Sequence, residues 1–99
     1  MVHVIARVKV RQGEEAAFQA AAGEMVAHVR ANEPETTLYV CLQSATDPTV
    51  FAFYEEYASQ DALAAHGGSD AIKKFFGTIG GLLDGAPSIE TFTQHAAKR

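Results

Sequence analysis

The chain predicts an α+β domain: a four-stranded antiparallel sheet with helices on one face, in the order β-α-β-β-α-β. Three observations carry that expectation. The opening residues alternate with period two, residues 14–32 carry an apolar stripe at helical spacing, and two β-branched and aromatic runs follow each other across a short turn. At 99 residues the chain suffices for one domain, residues 1–99, and not for two.

Each element has its own signature. Val2, Val4, Ala6, Val8 and Val10 alternate with His3, Ile5, Arg7, Lys9 and Arg11, the side-chain period of a strand. Arg7, Lys9 and Arg11 mark its solvated side, and Gly13 breaks the pattern. From Glu14 to Asn32 alanine is frequent and proline absent, and Phe18, Ala22, Met25 and Val29 repeat at three- and four-residue steps. Glu14 and Glu15 suit the positive end of that helix, and Pro34 forbids its continuation.

Thr37 to Ser44 and Val50 to Tyr57 read as an antiparallel hairpin, with Asp47 and Pro48 punctuating the turn. Ser59 can cap a helix that Gly67-Gly68 stops. Ser69 or Asp70 can cap the next, which carries Ile72, Phe75, Phe76, Ile79, Leu82 and Leu83. Gly77, Gly80 and Gly81 each weaken it by about 1 kcal/mol relative to alanine, so its C-terminal half is expected to be distorted. Gly85-Ala86-Pro87 is a turn, and SIETFTQHA is the last strand. The order is the split βαβ, ferredoxin-like arrangement. Apolar residues lie on both sides of its central strands: Leu38, Val40 and Leu42 point one way and Tyr39 and Cys41 the other. A sheet face left uncovered by helices and still apolar marks an interface, so the chain is expected to pair as a homodimer, sheet against sheet.

Composition narrows the function. Net charge is −4 with a pI near 5.4, and no basic stripe is present, so nucleic acid is not an expected partner. No apolar run is long enough to span a bilayer, and MVHVIARVKV lacks signal-peptide anatomy, so the expected setting is the cytoplasm, with no membrane partner. The single cysteine, Cys41, permits no disulfide within the chain and is expected to be a buried thiol. The four histidines show no metal-ligand spacing, and no phosphate loop or nucleophile elbow is present.

The stretch FAFYEEYASQDALAAH runs from an aromatic strand through Glu55-Glu56 to His66. A pocket between the sheet and the second helical segment would be walled by Phe75 and Phe76 and hold one imidazole, the group that titrates near neutral pH. His66 equally fits a helix C-terminus, where a cation is favoured. Glu55 and Glu56 alternate across the sheet and cannot form a dyad. Tyr39, Tyr54 and Tyr57 suit core or interface positions. His3 and His95, near the termini, and His28, beside the apolar stripe of the long helix, are expected at the surface.

ANEPETTLYVCLQSATDPTVFAFYEEYASQDALAAHGGSDAIKKF resembles the antibiotic biosynthesis monooxygenase (ABM) domain family. The matching elements are the N-E-P turn, the D-P-x-x-F-x-x-Y-E-x-Y strand and the A-L-x-x-H segment, and the likeness extends to the opening strand. The resemblance implies a dimeric α/β barrel of ferredoxin-like subunits. It also implies chemistry that includes oxidation of phenols and quinols by molecular oxygen with no metal or organic cofactor. Carried over residue by residue, it makes His66 the base or hydrogen-bonding group and Glu56 the residue that orients His66 or a substrate hydroxyl. Tyr57, Phe75, Phe76 and Tyr39 become the substrate-binding wall. The chain departs from the family pattern at Ala71-Ile72, where a histidine-aromatic pair is usual, and at Glu35, where glycine is usual. Ala6 and the lack of any tryptophan argue against haem degradation.

The expectation is therefore a cofactor-independent monooxygenase acting on a small aromatic quinol or phenol. A non-catalytic dimeric module that binds a small ligand, and an isomerase of a small carbonyl compound, are the alternatives.

Overall fold

The computed structural model describes residues 1–99. Its elements are β1 (Val2–Lys9), α1 (Glu15–Asn32), β2 (Thr36–Gln43), β3 (Val50–Tyr57), α2 (Gln60–Gly67), α3 (Asp70–Ile79) and β4 (Ser88–Thr93), with a 3₁₀ turn at Gly80–Leu82. The glycine-weakened end of the last helix is that 3₁₀ turn. The sheet is antiparallel throughout, in the order β2-β3-β1-β4, so β3 and β1 are its interior strands. Gly13 and Gly85 turn the chain with φ of +92° and +96°, a region where side chains are strained.

Both expected serine caps form. Ser59 Oγ accepts from the Ala62 amide at 3.1 Å and Ser69 Oγ from the Ile72 amide at 3.2 Å. Each cap satisfies a first-turn donor that has no partner inside its helix. The two helices thus start independently, and the chain turns sharply between His66 and Ile72.

Registers assign the faces. Val4, Ala6 and Val8 of β1 pair with Glu55, Phe53 and Phe51 of β3, and Tyr39 and Cys41 of β2 pair with Glu55 and Phe53. This is the face the helices cover. Phe18, Ala22, Met25 and Val29 of α1 and Ile72, Phe75 and Ile79 of α3 pack there with Phe51, Phe53 and Tyr39 in one cluster. Phe18 is its hub, with ring centroids 4.6 Å from Phe51 and 6.3 Å from both Phe53 and Phe75. Cys41 is only half-buried, because β2 is an edge strand and nothing covers its outer side.

The other face carries Leu38, Val40, Leu42, Ala52, Tyr54 and Ile5 and has no helix over it. Two of the expectations about histidine hold differently here. His95 is exposed, but His3 is 6% exposed and buried. Its nearness to the chain terminus is misleading because β1 is an interior strand. Glu56 and Phe92 flank His3 across the sheet, its Nδ1 lies 3.0 Å from Tyr54 Oη, and the C-terminal segment folds back so that Arg99 reaches Glu56 at 2.9 Å. His28 is half-buried on α1, with Asn32 Nδ2 of the same helix 3.3 Å from its Nδ1.

Candidate active site

Between the helix-covered face of the sheet and α3 lies a cavity of about 440 Å³. Val4, Ala6, Val8 and Phe53 form its floor, and Ile72, Phe75, Phe76 and Ile79 its roof. Tyr39, Glu55 and His66 supply polar atoms, and Lys73, Ile89 and Thr91 border it on the α3 and β4 sides. An apolar chamber of this size with a few convergent polar groups is the usual form of a small-molecule site.

His66 reaches it because α2 is short. Ser59 starts the helix and Gly68 follows it, and the imidazole leaves the last turn toward the sheet. It does not cap its own helix. His66 Nδ1 lies 2.8 Å from Glu33 Oε1, and the imidazole is 5% exposed. A carboxylate only accepts, so Nδ1 carries the proton and donates it. Nε2 is then the lone-pair nitrogen. It has no protein partner and is not among the sealed polar atoms, and His66 lines the cavity. Tyr39 and Tyr57 hold the ring from two sides, with centroids 5.1 and 5.4 Å away.

Glu33 is the residue following α1. Its Oε1 also accepts from Thr36 Oγ1 at 2.8 Å, while Oε2 is buried without a protein partner. A carboxylate sits poorly at the negative end of a helix, and hydrogen bonds from Thr36 and His66 offset that cost. Glu33 was not singled out from the sequence. Two signals pointed there: Glu33 is the acid of the N-E-P turn, and it is an acidic side chain where an 18-residue helix ends, a place that asks for a compensating donor.

The carboxyl that lines the cavity itself is Glu55. Tyr57 Oη donates to Glu55 Oε1 at 2.6 Å, and both residues are buried. Desolvation pushes the Glu55 carboxyl above its ordinary range, opposed by the Tyr57 hydrogen bond and by His66. Burial first, and then the nearby carboxyls, push the phenols of Tyr39 and Tyr57 far up, so both stay neutral donors.

The antibiotic biosynthesis monooxygenase family model matches residues 1–78. The chain belongs to this family. Among solved structures it is similar to a "putative antibiotic biosynthesis monooxygenase" from Caulobacter crescentus, with 36% identity over 96% of this chain and 90% of that one and a TM-score of 0.91. It is also similar to a protein of the same description from Nitrosomonas europaea (25% identity, 95% and 98% coverage, TM-score 0.87). A third is Rv0793 from Mycobacterium tuberculosis (26% identity, 99% and 98% coverage, TM-score 0.89). No curated protein matches the chain by sequence.

Within this ABM domain the sequence-predicted residues divide. His66, Tyr39, Phe75 and Phe76 border the one cavity. Tyr57 does not line it: the ring is fully buried behind His66 and acts through its hydroxyl on Glu55. Glu56 does not orient His66. It lies on the opposite sheet face, where Thr37 Oγ1 and Arg99 donate to its two oxygens. The alternation of β3 puts Glu55 and Glu56 on different sides, and the helix-covered side is that of Glu55. Glu33 takes the orienting place expected of Glu56. No three of the His, Cys, Asp and Glu side chains gather as a metal-holding group, and no helix is long and apolar enough to cross a membrane.

Proposed function

We propose that this ABM-family protein is a cofactor-independent monooxygenase that oxidises a small aromatic quinol or phenol to a quinone. One observation carries the reading: a buried His66, proton fixed on Nδ1 by Glu33, turns its free Nε2 toward an apolar cavity of about 440 Å³.

A phenol reacts with dioxygen far more readily as its phenolate, because the anion is the better electron donor. His66 Nε2 takes the phenolic proton. Glu33 favours the imidazolium that results, as a carboxylate beside an imidazole does in other general-base pairs. Phe75, Phe76 and Ile72 hold the ring and exclude water, which strengthens the polar contacts at the reacting end. Tyr39, held neutral, donates a hydrogen bond to substrate oxygen. One oxygen atom enters the ring as a carbonyl, and the other leaves as water.

The assembly we propose is a homodimer through the open sheet face. Leu42, Ile5 and Phe92 are 53%, 36% and 39% exposed there, beside Leu38, Val40 and Ala52. Such a contiguous apolar surface favours burial against a second sheet.

The test is oxygen uptake by purified, metal-free protein with a panel of naphthols and hydroquinones, corrected for autoxidation. Uptake that falls at least tenfold in His66→Ala is expected, since general-base catalysis contributes roughly 10²–10⁴-fold. Uptake that is unchanged in His66→Ala overturns the role given to His66.

A further inference from the structure

We infer that Glu55 is the proton donor of the cavity, holding a proton on Oε2 and delivering it to an oxygen of the bound ligand. The function of that proton in turnover rests on the oxygenase reading; its presence and its hydrogen bond to ligand do not.

The geometry singles out one oxygen. Glu55 Oε1 accepts the Tyr57 hydroxyl at 2.6 Å. Tyr57 is fully buried and its hydroxyl has no other polar partner, so this hydrogen bond commits Oε1 as the acceptor. Oε2 has no protein partner and is not sealed from the cavity that Glu55 lines. No Lys or Arg pairs with Glu55, although Arg99 does pair with its neighbour Glu56. A buried carboxyl with an apolar surround and no Lys or Arg partner favours its neutral form, and the Tyr57 hydrogen bond and His66 oppose this only in part. The polar and titratable groups around it are Tyr57 on its own strand, Tyr39 on β2, His66 on α2, Glu33 after α1 and Lys73 at the α3 border, and the facing residues of β1 and β4 are Val4 and Thr91. A neutral carboxylic acid in such a chamber is a hydrogen-bond donor, the use made of a protonated aspartate in ketosteroid isomerase.

Two proton-active groups then serve one reaction. His66 takes the phenolic proton. Dioxygen takes one electron pair from the phenolate and forms a C–O bond at a ring carbon that bears hydrogen, giving a peroxide anion. Glu55 gives its proton to the distal peroxide oxygen. The Glu55 carboxylate next takes the C–H proton; that electron pair forms the carbonyl, the O–O bond breaks, and the leaving hydroxide takes the proton held on His66. Water and quinone are the products, and both side chains return to their starting states.

The experiment is infrared difference spectroscopy at neutral pH on the intact protein, wild type against Glu55→Gln, before and after anaerobic addition of naphthoquinone. The expected result is a protonated-carboxyl C=O band in the wild type that is missing from Glu55→Gln and shifts when naphthoquinone binds. A neutral-pH wild-type spectrum with no such band overturns the inference. If Glu55→Gln does not fold, Tyr57→Phe replaces it: loss of the hydroxyl from Oε1 is expected to move the same band, and an unmoved band overturns the assignment. Oxygen uptake separates the two readings. No uptake by a wild type that shows the ligand-shifted band rejects the oxygenase and leaves Glu55 as donor. Where the wild type does turn over, Glu55→Gln is expected to lose about a hundredfold in kcat, and a loss under twofold overturns the catalytic use of the proton.

Discussion

Glu33 and His66 stand thirty-three positions apart in the chain and meet at 2.8 Å inside the fold. The pair joins the end of α1 to the end of α2, and it decides which imidazole nitrogen faces the cavity. Glu33→Ala should release the ring. We expect a mixture of tautomers in ¹⁵N NMR of the histidine ring, and a fall in turnover of roughly tenfold or more with substrate affinity little changed. Glu33→Gln still accepts through its amide oxygen and should restore the single tautomer and part of the rate. A Glu33→Ala protein with a wild-type histidine spectrum would show that Glu33 does not position the ring.

Phe75 and Phe76 are adjacent and make opposite predictions. Phe75 is buried and its ring lies 5.8 Å from Phe53 and 6.3 Å from Phe18. Phe75→Ala should cost about 3–5 kcal/mol in denaturant unfolding, the range for a large buried aromatic. Phe76 is 40% exposed, so Phe76→Ala should cost about 1 kcal/mol or less and act mainly by widening the cavity, seen as a raised KM. Equal destabilisation by the two would contradict the roof described above.

The two adjacent carboxylates of β3 should give stability opposite dependences on pH. Burial raises Glu55, so the folded state keeps a proton the unfolded chain has released. The stability Glu55 contributes is complete below the ordinary carboxylate range and is lost as pH rises through its folded value. Glu56 is held below that range, first by the hydrogen bond from Arg99, so its contribution is present above the ordinary range and is lost as pH falls. Thermal melts across the acidic and neutral range should show Glu55→Gln flattening the loss on the rising side. Arg99→Ala should flatten the loss on the falling side. The reverse pattern would exchange the environments assigned to the two residues.

The open sheet face predicts a homodimer that charged substitutions on that face should dissociate. Ile5→Lys combined with Leu42→Lys should shift sedimentation toward the monomer while leaving the circular dichroism of the fold intact, because both side chains project away from the helix-packed core. A wild type that sediments as a folded monomer at micromolar concentration would remove the homodimer from the proposal.

Much of this was legible in the residues. Period two at Val2–Val10, the stripe from Phe18 to Val29 and the serine caps at Ser59 and Ser69 give elements within a residue or two of those observed, because each is a local property of backbone and solvent. The A-L-x-x-H segment pointed to His66, and the cavity has His66 on its wall. Glu33 and His3 were not legible. Each is defined by a partner distant in sequence, His66 for one and the β3 and β4 neighbours for the other.

The strands of this protein carried their own parity in sequence: Phe51, Phe53, Glu55 and Tyr57 on one side, Val50, Ala52, Tyr54 and Glu56 on the other. Sequence alone thus determined that the two carboxylates part company, since alternation is fixed by strand geometry. It did not determine which side meets the helices. Both sides are apolar enough to be buried, and hydrophobic burial has no direction of its own. Only the packing of α1 and α3 on the Phe51–Tyr57 side decided that Glu55 lines the cavity with His66 and that Glu56 lies beneath Arg99.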